Sequence, residues 1–180
     1  GPATCAAAAF DGDAVFADAR FGAEATFDEG RFHDDALFTA TAFAAPASFR
    51  GAEFDGGANV HTEDLSFEGA SFAAAVDFRQ AAVAAATFDD AEFAGRARFA
   101  ETTFGDHATF AGVTFAAAAG FAEARFRADA AFEGVRFGGP ATFRGAEFQG
   151  GDNVREDDVT FADATFTGEA DFERARFRLA

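Results

Sequence analysis

The chain has 180 residues, 31 acidic and 14 basic, for a net charge of −17. That balance argues against direct nucleic-acid binding, which needs cations to neutralise phosphates, and an apolar fraction of 49% argues against disorder. No apolar run reaches membrane-spanning length, and 28 Phe without any Tyr, Trp or Met is unlike the mixed filling of an ordinary core.

Taken in order, Gly1-Pro2 reads as a tag remnant, followed by a single domain over 3–180. The lone Cys5 leaves no internal disulfide framework and fits a reducing, cytoplasmic setting. Inward centres are expected at Cys5, Phe10, Phe16, Phe21, Phe27, Phe32, Phe38, Phe43, Phe49, Phe54 and Val60, then at Phe67, Phe72, Phe78 and Val83. The ladder is clearest over 86–148. There Phe88, Phe93, Phe99, Phe104, Phe110, Phe115, Phe121, Phe126, Phe132, Phe137, Phe143 and Phe148 follow in alternating steps of five and six, each with Ala, Thr or Val two residues before it. Val154, Phe161, Phe166, Phe172 and Phe177 bring the centres to 32.

Steps of five and six scatter around a helix and flip between the faces of a strand. Neither regular element carries them. A β-solenoid does, because each short strand ends in a corner of variable length and the inward residue returns once per face. The Phe at i and the small residue at i−2 then point inward, and i−1, i+1 and i+2 point out. The sixth residue of a long unit, such as Asp13, Asp35, Pro46 or Pro140, is expected to bulge at a corner. The pairs Gly56-Gly57, Gly138-Gly139 and Gly150-Gly151 read as corners that need positive φ.

Ala91-Glu92-Phe93-Ala94-Gly95 and Ala146-Glu147-Phe148-Gln149-Gly150 copy the unit of the pentapeptide-repeat family, a small residue at i−2 and Leu or Phe at i. The chain resembles that family over essentially its whole length from Ala3. The resemblance implies an all-β fold, a right-handed quadrilateral parallel β-helix with four units per coil. With the 11-residue double unit seen here it has about 8 coils of about 22 residues and a length of roughly 38 Å at the spacing of β-strands.

Two places break the rhythm, with insertions near 61–66 and 155–160. Residues 46–60 and 140–154 are nearly the same sequence, displaced by 94 positions, so the insertions read as a duplication. On 32 faces their loops are expected at adjacent corners, each switching which corners carry the extra residue. These loops, His61, Thr62, Glu63 and Asp64 with Arg155, Glu156, Asp157 and Asp158, are the candidate interaction sites.

Signals for chemistry are thin. His33, His61 and His107 lack a second ligand at metal spacing and read as surface residues, so neither metal nor cofactor is expected. Asp34-Asp35, Asp89-Asp90 and Glu156-Asp157-Asp158 lie on a solvated exterior that would not raise a carboxyl pKa. With no nucleophile beside a base, an enzyme is not expected. The function that follows is a rigid, acidic structural or interaction module with a protein partner and no direct nucleic-acid contact. As an alternative, the resemblance implies a DNA mimic binding a topoisomerase such as gyrase: a duplex of this length carries roughly 22 charges, against 17 here. The column Arg31, Glu53, Asp77, Arg98 is expected to mix signs along one side. An ice- or surface-binding solenoid ranks lower, because Glu92 and Arg136 interrupt the expected column Thr4, Thr26, Ser48, Ser71, Glu92, Thr114, Arg136, Thr160. Terminal coils without a cap would expose strand edges, so end-to-end homo-oligomers are expected.

Overall fold

At nearly every alternate step of the ladder the inward Phe uses its carbonyl to close the corner that follows. The N–H three residues on donates to it, as from Ala19 to Phe16 and from Ala146 to Phe143, both at 2.9 Å. The residue at i+2 lies at φ between 53° and 68°, whether Gly, as at 51, 69, 112, 134 and 145, or not, as at Ala40, Glu101 and Arg174. This is the type II pattern, and it turns the chain after five residues. The longer, six-residue corners alternate with it.

The computed structural model describes residues 1–56, 64–150 and 159–178. Thirty two-residue strands form four parallel sheets of eight, eight, seven and seven strands. The first sheet runs from β1 (Ala3–Thr4) to β29 (Ala170–Asp171) and the second from β2 (Ala9–Phe10) to β30 (Arg176–Phe177). The third runs from β3 (Ala14–Val15) to β27 (Val159–Thr160) and the fourth from β4 (Arg20–Phe21) to β28 (Thr165–Phe166). Each sheet takes every fourth strand, so the fold is a quadrilateral parallel β-helix.

Inside, each Phe stacks on the Phe one coil away. Phe88, Phe110 and Phe132 stack at 4.8 Å with ring planes within 3° of parallel. Phe110 meets its neighbours from the first sheet, Phe99 and Phe121, edge-on at 5.8 and 5.6 Å. Stacks joined by edge contacts satisfy the ring quadrupoles in both directions. The twelve Phe from 88 to 148 are all buried. Among the described residues no buried side-chain nitrogen or oxygen lacks a hydrogen-bond partner.

The face count departs from expectation. Phe54 in β10 (Glu53–Phe54) pairs with Val83 in β14 (Ala82–Val83), and Ala36 pairs with Leu65 in β11 (Leu65–Ser66), each 29 residues on instead of 22. The same lengthening separates Phe148 from Phe177 and Ala130 from Val159. Phe67 therefore follows Phe54 from one sheet to the next, and Phe161 follows Phe148, giving 30 strands among the described residues where 32 centres were expected. The number of faces is set by the register between neighbouring coils, which the spacing of apolar residues does not reveal. Val60 and Val154 themselves lie outside the described residues.

Both lengthened segments leave the second sheet and enter the third. They share one edge, four coils apart, and do not sit at adjacent corners. Nor do they switch the long corners: every six-residue step lies at the second-to-third or the fourth-to-first edge, and the step from Val83 to Phe88 is a short one at the second-to-third edge. The expected columns change accordingly. Arg31 and Glu53 belong to the second sheet and Asp77 and Arg98 to the first. Thr4, Thr26 and Ser48 continue on the first sheet into Asp77, while Ser71, Glu92, Thr114 and Arg136 lie on the fourth and Thr160 on the third.

Gly56 and Gly150 have the expected positive φ, but Gly138 and Gly139 do not. Gly139 answers a different need: a Cβ there would lie 2.5 Å from the carbonyl carbon of Ala117 on the coil below.

Candidate functional site

The third sheet and its two edges gather the negative charge. Along the edge where the chain passes from the second sheet to the third lie Asp11, Asp13, Asp34, Asp35, Asp55, Asp64, Asp106 and Asp129. Arg127 and Arg178 are the arginines among the described residues of that edge. On the edge between third and fourth sheets stand Asp18, Glu68, Asp89, Asp90, Glu133 and Asp163, with no described cation. Between the two rows, the outward column of the third sheet is uncharged: Val15, Leu37, Ser66, Thr87, Thr109, Ala131 and Thr160. Thr109 donates to the Thr87 hydroxyl at 3.0 Å, and the Thr39 and Ser66 hydroxyls lie 3.0 Å apart. Ser66 and Thr87 are buried although they point away from the Phe core.

His33 and His107 belong to the same acidic edge. His33 Nδ1 lies 3.1 Å from an Asp55 carboxylate oxygen, and His107 Nδ1 lies 3.0 Å from one of Asp129. Asp13, Asp34 and Asp35 each bring a carboxylate oxygen within 4.8 Å of the others. Asp13 and Asp35 are one coil apart, so a 22-residue offset is the signal in the sequence that joins them.

Elsewhere on the rod several acidic residues are paired with arginines. Arg31 bonds Glu53 at 3.2 Å, Arg176 bonds Glu147 at 2.8 Å and Arg144 bonds Glu173 at 2.9 Å. Asp77 is held most firmly, with Arg79 donating from its backbone at 3.0 Å and from its guanidinium at 2.6 to 3.0 Å. Burial works against the ionised Asp77, but these bonds and the nearby Arg98 outweigh it and hold the carboxyl below its ordinary value. Most of the arginines thus lie away from the third sheet and its edges.

Of the eight candidate loop residues, Asp64 is described, and His61, Thr62, Glu63, Arg155, Glu156, Asp157 and Asp158 lie outside the described residues. Asp64 has structural work. Its carboxylate accepts the Ala85 N–H at 2.8 Å, and its backbone carbonyl accepts from Ala36 at 2.9 Å.

A small residue at i−2 and Phe at i, wound four units to a coil, define the type of structure. The architecture is that of the pentapeptide-repeat proteins. Among solved structures the chain is similar to HetL, a pentapeptide repeat protein involved in heterocyst differentiation regulation from the cyanobacterium Nostoc sp. strain PCC 7120. The identity is 12%, over 93% of this chain and 90% of HetL, with a TM-score of 0.23. It is also similar to QnrB1, a plasmid-mediated fluoroquinolone resistance protein, at 12% identity over 94% of this chain and 92% of that one, with a TM-score of 0.34. At these scores no residue of either is matched to a residue of this chain. No protein-family model matches the sequence, and no curated protein matches it. Among the described residues no helix is long and apolar enough to cross a membrane.

Proposed function

We propose that the chain is a non-enzymatic, rigid interaction rod whose third-sheet side contacts a cationic surface of a partner protein. The supporting observation is the separation of charge, with two acidic rows flanking an uncharged column and most of the arginines elsewhere. Charge segregated this way steers association more than it adds affinity. Its one thiol, the unpaired and half-buried Cys5, fits work in a reducing cytoplasm.

The test compares two quadruple variants for binding to an oligo-arginine peptide at rising salt. One neutralises Asp18, Asp89, Asp90 and Glu133; the other neutralises Glu24, Glu92, Glu101 and Glu123. Binding should weaken mainly in the first, and equal weakening in both would refute a dedicated acidic side.

A second reading, DNA mimicry toward a type II topoisomerase, is favoured by the two parallel carboxylate rows with an uncharged floor between them. Loss of gyrase supercoiling in the presence of the chain, relieved by the first variant, would support it; no effect at micromolar protein would reject it. We also propose end-to-end self-association through a terminal coil, supported by Phe177, which is 47% exposed on the last strand. Light scattering that gives a monomer at every concentration would contradict this.

A further inference from the structure

A shallow groove of about 370 Å³ lies on the first sheet and its edge with the fourth, away from the acidic side. Two adjacent columns line it. The outward column of the sheet reads Arg98, Gly120, Thr142, Asp171 in register, and the corner column beside it reads Arg96, Ala118, Pro140, Glu169. Each is basic at one end, small and uncharged for two rungs, and acidic at the other. Gly120 opens the floor, since a Cβ there would come no nearer than 3.9 Å to any other group.

The charges at the two ends cannot satisfy each other. The Phe rings beneath them, Phe99, Phe121, Phe143 and Phe172, rise 4.8 to 4.9 Å per rung, which puts the two pairs about 14 Å apart. The side chains of Arg96 and Glu169 have no hydrogen bond or ion pair among the described residues. Arg98 faces Asp77 across one rung, but Asp77 is already engaged by Arg79.

We propose that this groove binds an extended peptide segment of a partner protein, its carboxylate held by Arg96 and Arg98 and its cation by Glu169 and Asp171. Residues four apart on an extended chain stand about 14 Å apart, which matches the span of the groove. Between them the segment must carry small side chains, because Ala118, Gly120, Pro140 and Thr142 leave only a shallow trough. The groove and the acidic side share no residue, so either can fail without the other.

The experiment is a calorimetric titration of the whole chain with two end-blocked peptides, Asp-Ala-Ala-Ala-Arg and its reverse, Arg-Ala-Ala-Ala-Asp. One of them should bind, at least about tenfold more weakly to the Gly120→Leu variant and to Arg96→Glu/Arg98→Glu, each checked for an unchanged melting curve. Should Gly120→Leu not fold, the double Arg variant carries the test alone. The proposal is overturned if neither peptide binds at about 5 mM or if affinity is unchanged in the variants. Equal binding of a peptide bearing only Asp would also overturn it, since that describes an anion site without the second end.

Discussion

Thr102 donates its hydroxyl to the carbonyl of Phe78, 2.6 Å away on the preceding coil. Thr41 does the same to Phe16 at 2.7 Å. Both are fully buried at the i−2 position, where Ala is the rule. Thr102→Val would press a methyl against that carbonyl and should cost about 2 kcal/mol. Thr102→Ala should cost less, about 1 kcal/mol, because the Ala81 N–H still reaches the Phe78 carbonyl at 3.1 Å. Urea unfolding distinguishes them, and equal losses would show that the hydroxyl contact is unimportant.

Ten of the left-handed corners hold residues other than Gly, among them Ala40 at φ 53°. The Cβ of an L-residue is strained there by roughly 1–2 kcal/mol, partly offset by the extra freedom Gly has when unfolded. Ala40→Gly should therefore stabilise the chain by about 0.5 kcal/mol, and Gly51→Ala should destabilise it by about 1 kcal/mol. A fall in the denaturation midpoint of Ala40→Gly would contradict the corner geometry.

Phe110 is completely buried in mid-rod, while Phe177 is 47% exposed on the last strand. Phe110→Ala should cost about 3–5 kcal/mol through lost burial and the cavity left behind. Phe177→Ala should cost below about 1 kcal/mol and act locally, because stability in a stacked array depends on nearest neighbours. Hydrogen exchange would show fraying confined to the final coil in the second variant and global loosening in the first.

Asp77 supplies a pH signature. Its folded pKa lies below the ordinary value because Arg79 bonds its carboxylate, so its stabilisation is complete above about pH 4. It disappears as pH falls through the depressed folded value. Asp77→Asn should lower stability at neutral pH by about 1 kcal/mol, a figure reduced for the half-exposed Arg79. The gap between variant and parent should close in strong acid. A gap equal at both pH values would assign the loss to packing instead.

The Phe ladder, its inward Ala partners and the four-sided coil were legible because each repeats a local rule at almost every turn. Rung membership across the insertions was harder to read. Val60 stands six residues after Phe54, as a true centre would, whereas Val83 at a similar spacing is a real rung paired with Phe54 and Phe104. Apolarity and spacing are the same for both, and the face count comes instead from the register of the flanking strands, Phe54 with Val83 and Ala36 with Leu65. A clue was present in the steps: omitting Val60 and Val154 keeps every six-residue step at the same two corners, and including them does not. That choice decides which residues share a side, so the separation of charge and the groove around Gly120 became visible only once strands were assigned to sheets.

The uneven placement of charge around the rod gives it a transverse electric dipole, negative toward Asp34, Asp90 and Glu133 and offset by arginines such as Arg20, Arg98 and Arg136 on other sides. A charged partner therefore exerts a torque as well as an attraction. Rotation about the long axis is biased before contact, over about one Debye length, ~8 Å at physiological salt. Position along the axis is left free by this field, because both carboxylate rows run past many coils. Sliding along the rod would then end only where the repeat itself is broken, as it is in chain length at the two lengthened corners.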